Sequence, residues 1–263
     1  MIIRNLPKHP GQFMKEFLSR NFGLVSEETQ KKIKKTRILL IGCGLGSQIA
    51  ILAARKGFTR FILCDGDKVE LNNLNRQAFD IHDLGINKAK ATRKRMLRIN
   101  PHCKIEIIQK FVKDSKVAKE LVRKSDVIIN MADPEEIMYF INDEARRQNK
   151  PVIFPFTFGF GGLALVFLPK SATIEDIIGG RILGDECFAK LIINSIKKLP
   201  GSFKDKLGSM EIYQESLKNK GFVPQIGISS NITASIVVGA IIRLLEGNPV
   251  PSTPNPIFIN PWE

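Results

Sequence analysis

The chain has 263 residues, 43% hydrophobic and 25% charged, with a formal net charge of +14. That length holds one large domain with a sizeable core, and the balance is that of a globular chain, not a disordered or fibrous one. Its four cysteines (Cys43, Cys64, Cys103, Cys187) lie far apart with no CxxC pair, which argues against a disulfide framework or a structural zinc site and fits a reducing, cytoplasmic compartment.

The N-terminal MIIRNLPKHPGQF has no apolar stretch of signal-peptide length. Residues 11–35 read as a helical arm in two pieces, the second opened by Ser26 as N-cap with Glu27 and Glu28 in its first turn. RILLI (37–41) is a continuous apolar run of strand length, as a strand covered on both faces requires. GCGLGS then turns the chain into the helix QIAILAARKG, ended by Gly57. FTRFILC is the next buried strand. A helix over 87–99, the strand KIEIIQ, the helix DSKVAKELVRK, the strand DVIIN, a helix over 134–148 and the strand PVIFPF follow.

GGLALVFLP comes after the turn TFGFGG, too short for a crossover helix, so an antiparallel addition to the sheet is predicted. Between Pro169 and Val223 the pattern weakens, as in a functional or mobile segment. A helix over 229–245 and the ending NPIFINPWE close the chain. The apolar run ITASIVVGAIIRLLEG is interrupted by Arg243 and falls short of a membrane span of about 20 residues. It reads as a buried helix, and no membrane partner is expected.

Alternation of strand and helix predicts an α/β fold: a Rossmann-like, mixed but mostly parallel sheet with helices on both faces and an N-terminal helical arm. The expected parts are the arm (1–35), a nucleotide-binding core (36–168), a crossover or substrate segment (169–228) and a closing helix and strand (229–263), all within one domain.

GCGLGS supplies Gly42 and Gly44 in a GxG turn, with Gly46 and Ser47 opening the helix. Such a turn lets a phosphate approach amide N–H groups at a helix N-terminus. Asp65, 19 residues beyond Gly46 at the next strand end, suits a ribose contact. NAD, FAD and ATP all satisfy this much. The stretch DGDKVELNNLNRQ (65–77) and Lys88 in GINK favour a triphosphate, because Arg76 offers planar multi-donor phosphate recognition and ATP carries about twice the charge of a dinucleotide. KKIKKTR (31–37) and KAKATRKRMLR (88–98) hold much of the basic excess. They read as solvated helix faces or as a footprint for nucleic acid or an acidic protein.

GCGLGS, DGDKVELNNLNRQ, GINKAKA, RINPHCKIEII and NMADP, in this order, resemble the motifs of the ThiF/MoeB and ubiquitin-activating adenylyltransferase superfamily, as do the arm from Ser19 to Gln30 and the closing SSNITASIVVGAIIRLLEGNP. The resemblance spans nearly the whole chain. It implies that Asp65 holds the ribose of ATP, that Asp67, Gly42, Gly44 and Gly46 border the nucleotide, and that Asn73, Arg76 and Gln77 reach the phosphates beside Lys88. Asp133 would bind Mg²⁺, and Arg20 would serve the active site of a partner copy in a homodimer. Arg20, Arg76, Lys88 and Asp133 would carry catalysis. The implied reaction is adenylylation of the C-terminal carboxylate of a small ubiquitin-like protein or peptide, with pyrophosphate released.

The pattern departs from the family's in three places. GCGLGS is one residue shorter than GxGGxGS; Asn130 and Pro134 replace the ends of D-x-T-D-N; and the CxxC pairs of many members are absent. Asp133-Pro134-Glu135-Glu136 is also a good helix start, with Asp133 as N-cap and Pro134 at N1. Cys187 stands where some relatives carry an acyl-accepting thiol, or is a packing cysteine. Alternative functions are ATP-dependent modification of a tRNA nucleoside, as in the family's threonylcarbamoyladenosine dehydratases, and non-catalytic partner binding. A nicotinamide oxidoreductase would leave Asn73, Arg76 and Lys88 without a role.

Overall fold

The structure, a computed structural model, describes Pro7 and residues 9–198 and 224–261. Two arm helices, α1 (Pro10–Phe17) and α2 (Glu27–Lys35), precede β1 (Arg37–Ile41). Ser26 caps α2 as expected, its hydroxyl accepting from the Thr29 N–H at 3.0 Å. The chain continues through α3 (Leu45–Arg55), β2 (Arg60–Cys64), α4 (Lys88–Ile99) and β3 (Lys104–Ile108). Then come α5 (Ser115–Lys124), β4 (Val127–Asn130), α6 (Glu136–Arg147) and β5 (Val152–Phe158).

β6 (Gly161–Phe167) turns back antiparallel to β5. Two helices follow in the part of 169–228 left unassigned from sequence, α7 (Ile174–Ile178) and α8 (Asp185–Ile196). The remainder of that segment, 199–223, lies outside the described residues. Last are α9 (Gly227–Glu246) and β7 (Ile257–Ile259), which pairs antiparallel with β6.

The sheet order is β3-β2-β1-β4-β5-β6-β7, parallel from β3 to β5. Period-two alternation explains why the apolar runs are unbroken. Leu39 and Ile41 of β1 join Ile62, Cys64 and Ile128 under α5, α6 and α8. Ile38 and Leu40 join Phe61, Leu63 and Ile129 under α3, α4 and α9.

α9 runs 20 residues, longer than the sequence reading, and has the length and mean hydropathy of a membrane span. Its Ala234, Val237, Val238 and Ile241 are buried against the sheet, so core packing accounts for its apolar character.

Candidate functional site

Parallel strands in register bring distant residues to one level. Ile41 stands opposite Cys64 and Asn130, so Gly42, Asp65 and Met131 leave the sheet together. β2 and β3 lie on one side of β1, and β4 and β5 on the other. The switch between β1 and β4 opens a crevice at the carboxyl ends of the strands. It widens into a cavity of about 570 Å³ spanning the ends of β1, β2, β4 and β5.

Gly42 has φ 98°. A Cβ there would lie 3.1 and 3.2 Å from the Cβ and carbonyl oxygen of Met131, so both backbone and neighbours call for glycine. Gly44 begins α3, and a Cβ on it would lie 3.1 Å from the side-chain nitrogen of Gln77. Both glycines line the cavity. Gly46, expected to border the nucleotide, does not. Its absent Cβ would sit 2.8 Å from Met131 Cε and 3.3 Å from Leu40, so it permits close packing of α3 on the sheet.

Asp65 is buried but lines the cavity. Its Oδ2 accepts from the Cys43 N–H at 2.6 Å and its Oδ1 from the Asp67 N–H at 2.7 Å, tying the glycine turn to the end of β2. Burial pushes its pKa up, against the lowering effect of those two N–H groups. Asn87 caps α4 and reaches back to the Asp65 carbonyl at 2.8 Å. That cap sets Lys88 on the cavity wall, its Nζ 3.0 Å from Asp67 Oδ2.

The stretch 71–77 divides its labour differently from the sequence expectation. Asn73 is buried and holds a short 3-10 turn, its Oδ1 accepting from the Glu70 N–H at 3.1 Å and its Nδ2 donating to Asn72 Oδ1 at 2.7 Å. Its amide is committed to the turn and does not line the cavity. Arg76 also lies outside the lining. Its guanidinium donates to Gln225 Oε1 (2.8 Å), the Asn72 carbonyl (2.5 Å) and Asn75 Oδ1 (2.9 Å). Only Gln225 of these partners reaches the cavity. Gln77 does line it, and its side-chain oxygen is buried without a partner among the described residues.

Asp133 lines the cavity but caps no helix. α6 starts at Glu136 with Glu135 at its N-cap, and the Asp133 carbonyl, not its carboxylate, accepts from the Glu135 N–H. Asn130 shapes this turn, its Oδ1 accepting from Ala132 N–H and its Nδ2 donating to the Met138 carbonyl. The Asp133 carboxylate is thereby left for the cavity. Partial burial, then Glu135 and Asp67, raise its pKa, while Lys113 lowers it. A divalent cation suits such a carboxylate. Among the described residues no three His, Cys, Asp or Glu side chains form a metal cage.

Arg20, expected to serve a partner copy's site, and Cys187 do not line this cavity. Arg20 is exposed on the 3-10 turn Ser19–Asn21. The preceding Leu18 packs at Gly57, beyond the far end of α3, about 16 Å along that helix from the glycine turn. Cys187 has 0% exposure, its sulfur 3.3 Å from the Tyr139 hydroxyl. It belongs to the packed layer of α6 and α8, in keeping with the packing alternative.

Other residues were missed in the sequence. Phe111 and Lys113 follow β3 as Asp65 and Asp67 follow β2, a strand-end position that marks crevice residues. The Phe111 ring lies over Gly66, where an added Cβ would meet it at 2.6 Å. Phe154, Phe156, Phe188 and Ile192 line the far wall. Nothing in their local pattern separates them from core.

Fold and site together define a protein of the doubly wound α/β class, its crevice at the strand switch point. The ThiF family model matches residues 18–263, and the chain belongs to that family.

It is 33% identical over 142 residues to the probable molybdopterin-synthase adenylyltransferase of Porphyra purpurea, covering 53% of this chain and 37% of the relative. To the sulfur carrier protein ThiS adenylyltransferase of Escherichia coli it is 29% identical over 147 residues, covering 55% of this chain and 58% of the relative. The match thus spans only part of each relative's own length. Among solved structures, E. coli MccB with AMPCPP and MccA superposes with a TM-score of 0.68 at 20% identity, covering 98% of this chain and 71% of that one. PaaA superposes with a TM-score of 0.67 at 22% identity, covering 95% and 80%. These likenesses confirm the Rossmann-like fold.

Proposed function

We propose that the protein adenylylates the C-terminal carboxylate of a small protein or peptide at the expense of ATP. The observation that carries this reading is one cavity lined by the glycine turn, Asp65, Lys88 and Asp133 in a chain of the ThiF family. The curated relatives, named as adenylyltransferases, support it.

In this reading the turn amides at Gly42 and Gly44 and the N-terminus of α3 receive phosphate oxygens. Asp65 receives the ribose, and Phe111, after β3 and with its ring at Gly66, offers an aromatic face to the base. Lys88 and Lys113 supply positive charge, and Gln77 an amide. Arg76 stands at the rim on Gln225, ready to exchange that neutral partner for a phosphate. Asp133 would hold Mg²⁺, which when bound neutralises phosphate charge.

The substrate carboxylate, already ionised near neutral pH, attacks the α-phosphorus. An acyl–oxygen–phosphorus bond forms, the bond to the bridging oxygen of the β-phosphate breaks, and pyrophosphate leaves with the electron pair. No proton needs to move, so the residues act by position and charge.

We further assign Arg20 to a partner copy's site in a homodimer. Phe22 and Leu24, beside it and 93% and 85% exposed, are an apolar pair that a second copy would cover. Sedimentation of the chain and of its Phe22→Ser/Leu24→Ser variant tests this; a monomeric parent chain defeats it. Four free, buried cysteines agree with a cytoplasmic setting.

The test of the activity is exchange of labelled pyrophosphate into ATP in the presence of a carboxylate substrate. ATP binding without exchange for any substrate overturns the reading. A second reading, modification of a tRNA nucleoside, is favoured by the exposed Lys90, Arg93, Lys94 and Arg98 on α4. Steep salt-dependent tRNA binding that persists at physiological salt would support it.

A further inference from the structure

We infer that the carboxylate acceptor is a polypeptide whose last residue carries a large apolar side chain, with a basic residue shortly before it, not one ending in two glycines. This rests on the adenylylation reading and concerns the part of the cavity that ATP leaves unexplained.

The cavity runs across the strand ends, and its chemistry changes along the way. Asp65, the carboxylate assigned to the ribose, directly follows β2. β5 lies three strand spacings away, about 14 Å, and only one spacing, about 5 Å, from β4. The loop after β4 carries Asp133. The β5 end therefore lies on the acyl side of the reacting phosphate, with the nucleotide on the other.

That end is walled by Phe154, Phe156, Ile137, Phe188 and Ile192. Phe156 and Phe188 meet edge to face with centroids 5.7 Å apart, Phe156 leaning on Phe154 at 6.4 Å. Phe156 and Phe188 are half-buried, so part of this wall faces the cavity rather than the core. Tail glycines would leave the wall wet, whereas a leucine or phenylalanine side chain would cover it.

Charge supplies the second requirement. Among the described residues the cavity lining holds five carboxylates (Asp65, Asp67, Asp133, Glu135, Asp185) and two lysines (Lys88, Lys113), although the chain as a whole carries a net charge of +14. Asp65, Asp67 and Asp133 belong to the nucleotide and cation end. Glu135 and Asp185 stand near enough to Asp133 to raise its pKa, where the cation end meets the apolar wall. They stand at the starts of α6 and α8, which the Gly184 N–H joins by donating to the Pro134 carbonyl at 2.8 Å. Both are exposed, and Asp185 precedes Phe188 by one turn of α8, so a cationic side chain of the incoming tail would meet them beside the apolar wall. ATP adds only negative charge to this lining, so a basic tail is the complementary one.

The test uses the full chain and four synthetic decapeptides differing only in their ends: -Lys-Gly-Leu, -Lys-Gly-Phe, -Lys-Gly-Gly and -Glu-Gly-Leu. Pyrophosphate exchange and fluorescence anisotropy of the dye-labelled peptides, with a non-hydrolysable ATP analogue present, are both read. The apolar tails should exceed the Gly-Gly tail roughly 10–100-fold in both measurements. The Lys-to-Glu change should cost about three- to tenfold, less at high salt. Phe188→Ala, checked for folding by its melting curve, should erase the difference between leucine and glycine tails. Glu135→Gln/Asp185→Asn should erase that between lysine and glutamate.

Equal or better exchange with the Gly-Gly tail overturns the inference while leaving adenylylation standing. No exchange with any peptide, with ATP bound, overturns adenylylation. Anisotropy then still decides the subsite: an apolar preference upholds it and none defeats it.

Discussion

Adding a methyl group at Gly42 and at Gly44 separates the two jobs of the glycine turn. At Gly42, φ of 98° places an alanine in left-handed backbone, which costs about 1–2 kcal/mol. The new Cβ would also stand 3.1 and 3.2 Å from the Cβ and carbonyl oxygen of Met131. Those atoms directly follow the central strand β4, where the Met131 N–H still donates to the Ile41 carbonyl, so they yield little and crowding adds about 1–3 kcal/mol. Less unfolded-state entropy returns about 0.4–1 kcal/mol. The net loss is about 2–4 kcal/mol, a fall in melting temperature of about 5–15 °C for a chain of this size.

At Gly44 the methyl meets only the Gln77 amide, at 3.1 Å and on a flexible side chain. Gly44→Ala should therefore melt within about 1 kcal/mol of the parent but displace an amide that lines the cavity, weakening ATP binding about three- to tenfold. Differential scanning calorimetry and ATP titration on both variants are the measurements. If Gly42→Ala melts as the parent does, or Gly44→Ala is the less stable of the two, this account of the turn is wrong.

Lys88→Ala should lower ATP affinity about 10–100-fold through loss of one charge-assisted phosphate contact. It should hardly change the melting temperature, because its partner Asp67 is more than half exposed and stays hydrated; calorimetric titration decides. Asp133→Asn should abolish the gain in ATP affinity on adding Mg²⁺ while leaving metal-free ATP binding in place. Because burial and neighbouring carboxylates raise the Asp133 pKa, Mg²⁺-dependent binding should fall away with acidification above the ordinary aspartate range. Glu135→Gln should move that limb to lower pH. The same raised pKa means that ionising Asp133 lowers folding stability as pH rises through its folded-state value. All four thiols are buried and free, with Cys64 and Cys103 each pushed up to about 12. Ellman's reagent should find no fast thiol in the native chain and four after unfolding; one fast thiol assigned to Cys187 would restore the acyl-acceptor reading.

The strand runs RILLI, RFILC and VIIN, the glycine turn and the Ser26 cap were legible because each is a local signal: periodicity, a glycine needing positive φ, a side chain reaching three residues on. Asp65 and Lys88 were legible for the same reason, standing at a strand end and a helix start. Asn73, Arg76 and Asp133 were less so, since each side chain had a choice of partners that only folding resolves. Asn73 spends its amide on its own turn, Arg76 is held by Gln225 from 149 residues away, and Asp133 is released from capping because Glu135 takes that position.

Sequence by itself determined the alternation of strand and helix, the glycine turn, and the positions of Asp65 at a strand end and Lys88 at a helix start, because these follow from patterns within about 20 residues. Tertiary structure decided the strand order that opens the crevice between β1 and β4, that Gly42 and Gly44 line the cavity while Gly46 packs on Met131 and Leu40, that Cys187 is core, and that Phe156 and Phe188 meet at the far end of the cavity. Those outcomes depend on packing between β1, β4, β5, α3, α6 and α8. Their residues are separated by tens of positions, and no local periodicity records which of two apolar faces will meet the ligand.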